Sequence, residues 1–217
     1  MTLTRVLSMA LVSLLLAPWR AQATPNGAIW LSGAEIQSYD YEAASYDNSD
    51  FDTTIKHSGA ASFRVKSGAA GTGNFHSPTW TAPVTNGPVF ISAWVYIPSN
   101  VCPTIACQAA FMTTSGLTQF RFNSATTTVT FFHNSTQIGT GYTITTDAWH
   151  HYEIKVTIDG DATADDTVEG RIDGAVRNGQ TTSSINTGTT AVNAVNFTSP
   201  NFGVYTGGAI RVDDIIV

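Results

Sequence analysis

Between Trp149 and Ile158 the chain reads W-H-H-Y-E-I-K-V-T-I. His150, Tyr152, Ile154, Val156 and Ile158 share one parity, and His151, Glu153, Lys155 and Thr157 the other, the period of a strand with one buried face. An acidic turn, Asp159 to Asp166, leads to a second strand from Thr167 to Ile172. Asp173-Gly174 follows, a dipeptide that tolerates positive φ and suits a tight hairpin. A long antiparallel hairpin of this kind hides its oily side only under another pleated layer.

The rest of the chain keeps the same two-residue rhythm. Short strands are expected at Ala28 to Ile36, His57 to Ser67, Phe75 to Thr81, Gln108 to Thr113, Leu117 to Asn123 and Val129 to His133. Strand-like pieces follow over Asn134 to Thr146, and two last strands over Phe202 to Tyr205 and Ala209 to Val217. Val89 to Ile97 is apolar on both parities apart from Ser92, which predicts a central strand covered on both faces. Arg177 to Asn193, rich in Thr, Ser, Asn and Gly, reads as an exposed, mobile loop. No helix beyond a turn or two is signalled after the leader, and no repeat of 20 to 50 residues is visible.

Residues 1 to 23 have the pattern of a secretory leader: Arg5, an apolar run from Val6 to Ala17, and the small-x-small sequence Ala21-Gln22-Ala23. The run is too short to span a bilayer, and no second one follows, so the expected protein is exported, secreted or periplasmic, without a membrane span after cleavage. Residues 24 to 217 are enough for one large β domain, which buries roughly 70% of its extended surface. Loss of Arg5 and Arg20 takes the formal charge from −6 to −8, since the leader has no Asp or Glu. A chain this acidic, with no basic cluster, repels phosphate backbones, which excludes nucleic acid as the expected partner. Cys102 and Cys107 are the only cysteines, and in an exported protein they are expected to close a small disulfide loop, with two free thiols as the alternative.

A dozen or so strands joined by turns predict an all-β, two-sheet antiparallel sandwich. Three stretches, H-S-G-x-x-S-F-R-V, W-H-x-Y-E-I-K-V followed by I-D-G, and the terminal I-R-V-D-D-I-I-V, in that order, resemble the concanavalin A-like lectin and glucanase superfamily, in particular its laminin-G-like jelly rolls. The likeness covers nearly all of residues 28 to 217. It implies a concanavalin A-like jelly roll, and it implies several activities, because such folds serve as sugar-binding modules, glucanases, polysaccharide lyases and adhesion or virion domains.

Stacking on sugar rings needs exposed aromatics, with planar polar groups beside them for the hydroxyls. Trp94 and Tyr96 share one face of their strand, where they either bind a ligand or pack between sheets. Gln119 with Arg121, and His151 with Glu153 and Lys155, line polar faces that either join Trp94 and Tyr96 in one groove or are simply wet. Asp213 and Asp214 break the terminal apolar strand. If Ile210, Val212 and Ile216 face the core, Asp214 does too, and a buried carboxylate demands hydrogen bonds or a cation. The resemblance implies a structural Ca²⁺ where first and last strands meet, held by Glu35 with Asp213 or Asp214; the alternative is plain hydrogen-bonded carboxylates. The acidic turn at Asp159 is no EF-hand, since Ala164 and Gly170 stand where Gly and Glu are required.

The superfamily's glucanases carry an E-x-D-x-x-E strand, and no such spacing occurs here. Its lyases pair a Tyr or His base with Arg and Gln; Gln119, Arg121, His133, His151 and Tyr152 are the right residue types, but the lyases' characteristic motifs are absent. The expected function is therefore a secreted, non-catalytic module for a polysaccharide or glycoconjugate. A structural or adhesive surface protein with protein partners, on a cell or a virion, is the first alternative, and a polysaccharide lyase the second.

Overall fold

A computed structural model describes residues 31–32, 49–65, 67–68, 71–72, 74–76, 87–101, 108–114, 118–158, 165–185, 192, 194–198 and 208–217. The leader, Glu35, Cys102, Cys107, the strand expected at Phe202 to Tyr205 and most of the acidic turn lie outside them. In chain order the strands are β1 (Leu31–Ser32), β2 (Ser49–Asp52), β3 (Ser62–Val65), β4 (Ser67–Gly68), β5 (Gly71–Thr72), β6 (Asn74–His76), β7 (Gly87–Tyr96) and β8 (Gln108–Thr114). They continue as β9 (Thr118–Asn123), β10 (Thr128–His133), β11 (Thr136–Thr143), β12 (Trp149–Ile158), β13 (Asp166–Ile172), β14 (Ala175–Ile185), β15 (Val195–Thr198) and β16 (Ile210–Ile216).

The strands form an eight-stranded sheet in the order β14-β13-β12-β7-β16-β3-β2, with β1 paired to β16, and a six-stranded sheet in the order β11-β10-β9-β8-β15-β6; β4 and β5 make a small ribbon. All pairings are antiparallel. Val89, Ile91, Ala93 and Val95 of β7 and Tyr152, Ile154, Val156 and Ile158 of β12 face inward and are buried, as are Phe120 and Phe122 of β9 and Phe131 of β10 from the other sheet. The Tyr152 ring meets Phe111 at 4.9 Å and Phe120 at 5.3 Å across the gap between sheets. Each large side chain so covered contributes about 1.5–3 kcal/mol. The molecule is a two-sheet antiparallel jelly-roll sandwich.

Three expectations change. β7 is central in its sheet, but only one of its faces is covered, and Phe90 on the other is 60% exposed. Within the span Arg177 to Asn193, the part up to Ile185 is no free loop: β14 runs to Ile185 as an edge strand on β13, and Asn178 Nδ2 and Gln180 Nε2 donate to the carbonyls of Gly141 and Val129 in the other sheet. Its polar side chains hold the sandwich edge instead of leaving it loose. Finally, His57 to Ser67 is a strand only from Ser62; before it, Asp52 caps a turn by accepting the N–H groups of Thr54 and Ile55 at 2.9 and 3.1 Å.

The Asp173-Gly174 turn joins β13 to β14 with φ of 53° and 75°, the two left-handed residues of a type I′ turn. Asp173 also reaches back to β12, accepting from His150 Nδ1 at 2.8 Å and from the His151 N–H at 3.0 Å.

Candidate functional site

β7 and β12 pair in the register Tyr96↔Trp149, Trp94↔His151, Ser92↔Glu153 and Phe90↔Lys155. With Val95, Ala93 and Ile91 inward, this other parity must face away from the core, and its aromatic residues are half-buried instead of sealed between sheets. Trp94 lies 5.1 Å from His151, and Tyr96 lies 5.7 Å from Trp149. His57, from the loop before β3, stacks on Trp94 at 3.9 Å and 14° and meets Trp149 edge-on at 5.7 Å. Arg211 of β16 stands opposite Tyr96, its guanidinium 5.7 Å from the ring. Five rings thus share one outer surface.

The His57 loop is held by the terminal strand. Asp213 has the outward parity of Arg211, opposite Trp94, but is wholly buried because the loop lies over it. Its Oδ2 accepts the N–H groups of His57 and Ser58 at 3.1 and 3.2 Å, and its Oδ1 the N–H of Asp214 at 3.0 Å. Asp214 accepts from Ser58 Oγ and His57 Nδ1, both at 2.7 Å. An ionised carboxylate cannot donate, so Nδ1 carries the proton of this contact. Burial pushes the Asp213 carboxyl above its ordinary range, neighbouring Asp214 adds to that, and the three N–H groups oppose it.

The expectation for this strand is reversed. Asp213 is the buried carboxylate and Asp214 the half-exposed one, because the ladder with β7 shifts between Asp213 and Ile216 and Asp214 takes a φ of 47°. A bulge resets parity, which turns Ile216 outward at 43% exposure. All four carboxylate oxygens of the pair accept protein hydrogen bonds. Among the described residues no group of three or more His, Cys, Asp or Glu is arranged to hold a metal ion, and Glu35 lies outside them.

Further along the same face, the small Ser92 leaves a depression of about 170 Å³ between Phe90, Ile216, Glu153, Lys155 and Arg171. Arg171 is bound to Glu169 at 2.6 Å, and His151 Nδ1 lies 3.9 Å from Glu153. At the other end Tyr96 donates to Asp147 at 3.3 Å, and burial, with Asp147 beside it, pushes the phenol up. Burial would raise the Asp52 carboxyl, but the N–H groups of Ile55 and Thr54 and the Arg211 guanidinium at 3.0 Å outweigh it and hold it low.

Trp94, Tyr96, His151, Glu153 and Lys155 are therefore brought together, and Gln119 and Arg121 are not. With Phe120 and Phe122 inward, those two project from the outer face of the six-stranded sheet, on the far side of the core. Arg121 lies 4.0 Å over Phe132. Across that sheet, Gln119, Thr113, Asn196 and His76 stand in successive register. Two other candidates are interior. Tyr152 has no exposure and, among the described residues, no partner for its hydroxyl, and burial raises its phenol far above the ordinary range. His133 is buried with Nδ1 on Thr118 Oγ1 at 2.9 Å, and burial lowers its pKa. Neither reaches a ligand on an outer face.

His57, Trp149 and Arg211 belong to the aromatic face without having been singled out from sequence. Trp149 shares the parity of His151 and was recoverable from that signal; His57 and Arg211 depend on long-range pairing.

No protein-family model matches the chain, and no curated protein matches its sequence. Solved structures do match in fold. An endo-β-1,4-glucuronan lyase from the fungus Trichoderma reesei aligns with a TM-score of 0.59 at 10% identity, over 87% of this chain and 94% of that one. A mutant of alginate lyase Aly36B in complex with alginate tetrasaccharide gives 0.53 at 12% identity, over 86% and 94%. The ligand-binding domain of botulinum neurotoxin serotype D in complex with N-acetylneuraminic acid gives 0.55 at 10%, over 83% and 43%. The chain is thus similar in fold to jelly rolls that handle carbohydrate.

Proposed function

We propose that this protein is a carbohydrate-binding jelly roll that takes a glycan on the aromatic face of its eight-stranded sheet. The carrying observation is the half-exposed surface of His57, Trp94, Tyr96, Trp149 and His151, flat groups on which a sugar ring stacks, with the polar depression at Ser92 beside it. The reading includes membership of the concanavalin A-like superfamily, supported by the two-sheet sandwich and by the jelly-roll fold of its structural neighbours. It also includes a single domain over residues 24 to 217, export after cleavage of residues 1 to 23, and a Cys102–Cys107 disulfide, supported by the sequence alone.

Retention on insoluble polysaccharides and on a glycan array tests it. Wild type is expected to bind at least one glycan, and Trp149→Ala and Tyr96→Ala to weaken that binding about tenfold, the size of an aromatic contact, with unchanged melting temperature. Absence of binding to every glycan, together with a defined oligomer on sizing, would favour protein contacts instead.

One observation favours a lyase as second reading. Arg121 has no carboxylate partner among the described residues and shares the outer face of β9 with Gln119. An arginine and an amide are the groups that neutralise a uronate; a lyase would further need a base for the α proton and an acid for the departing glycosidic oxygen. Incubation with glucuronan and alginate, followed by the ultraviolet absorbance of unsaturated uronate, decides: product that disappears in Arg121→Ala supports it, and no product removes it.

A further inference from the structure

We infer that the glycan taken by the eight-stranded sheet is uncharged, a neutral polysaccharide held by stacking and hydroxyl hydrogen bonds, and not a polyuronate or sialylated chain. The inference rests on the carbohydrate reading above and narrows it. An anionic sugar needs a cation with free donors, because a carboxylate leaving water must recover its hydration from charge-assisted bonds. On this face each described guanidinium already has a carboxylate partner. Arg211 is held by Asp52 at 3.0 Å, Arg64 by both oxygens of Asp50 at 2.5 and 2.6 Å, and Arg171 by Glu169 at 2.6 Å. Of the imidazoles, His57 binds Asp214 at 2.7 Å, and His151 lies 3.9 Å from Glu153, beyond hydrogen-bond reach.

Among the described residues two ammonium groups remain: Lys56, beside His57, which donates to the Ala60 carbonyl at 3.3 Å, and Lys155, whose surroundings are acidic. Lys155 stands opposite Glu169 in the β12–β13 ladder, two residues from Glu153 on the same face. The buried Asp213 and the chain's formal charge of −6 add to a field that repels anions. What the face does offer suits hydroxyls: carboxylate acceptors at Glu153 and Glu169, the Ser92 hydroxyl, and flat rings. The contrast with the far side of the sandwich is internal to the molecule, since Arg121 there has no acidic partner among the described residues. It also contrasts with the three neighbours above, whose names carry glucuronan, alginate and N-acetylneuraminic acid, all anionic sugars.

The test compares full-length protein on neutral polysaccharides (cellulose, β-1,3-glucan, xylan, mannan) with anionic ones (alginate, glucuronan, polygalacturonate) at low and high salt. The expected result is binding to at least one neutral polysaccharide that changes less than about twofold with salt, as uncharged contacts are not screened, and that Trp149→Ala weakens about tenfold. Binding confined to the anionic set and lost in salt would overturn the inference while leaving the carbohydrate reading intact, and so would neutral binding that survives Trp149→Ala but not Arg121→Ala. Failure to bind either set would remove the carbohydrate reading itself.

Discussion

The Asp213 carboxylate lies wholly out of water and accepts three backbone N–H groups, two of them from the loop that carries His57. Truncation to Ala leaves those donors without their acceptor, at a cost of roughly 2 kcal/mol or more. Asp213→Ala is therefore expected to lower stability in urea titrations by about that amount and to loosen the His57–Trp94 stack. The pH dependence has a definite sign. Because burial raises the folded carboxyl above 3.8, the titration contributes stability fully present below 3.8 and lost as pH rises through the raised value. The gap between wild type and Asp213→Ala should widen on acidification, and a gap that narrows would contradict the burial of this group. Asp52 works in the opposite sense: held low, it stabilises above 3.8 and loses that contribution as pH falls through its depressed value.

At the scale of elements, the hairpin of β12 and β13 meets the opposite sheet where it has least side chain. A Cβ built on Gly170 would approach Phe131 Cδ2 at 2.8 Å and Phe120 Cζ at 3.0 Å, and both rings are fully buried. Neither ring has room to retreat. Gly170→Ala is expected to destabilise by about 1–3 kcal/mol through overpacking, read as a drop in melting temperature; an unchanged melt would mean that the sheets sit further apart than described. Much at this scale was legible in the sequence. Alternation located β9, β10 and β12 to within a residue or two, because each has one greasy face. β14 was missed because from Arg177 to Ser184 it has no apolar side chain, so pairing, not hydrophobicity, makes it a strand. The β16 bulge was missed because a positive φ at Asp214 has no signature in an apolar run.

For the whole molecule, period-two patterning tells which face of a strand a residue occupies and is silent on which sheet the strand joins. That is why Trp94, Tyr96 and His151 could be grouped with Gln119 and Arg121, and why the grouping divides once β9 is seen in the six-stranded sheet and β7 in the other. The division gives the sandwich two chemically distinct exteriors, one whose described guanidinium groups each have a carboxylate partner and one with an arginine that has none among the described residues. The stacked rings have a further consequence. His57, Trp94 and Trp149 come from stretches far apart along the polypeptide, which meet only after β16 has docked between β3 and β7. No fragment can preassemble that surface, so a bound sugar would act as a thermodynamic witness to complete folding, favouring the finished protein over every partly formed one.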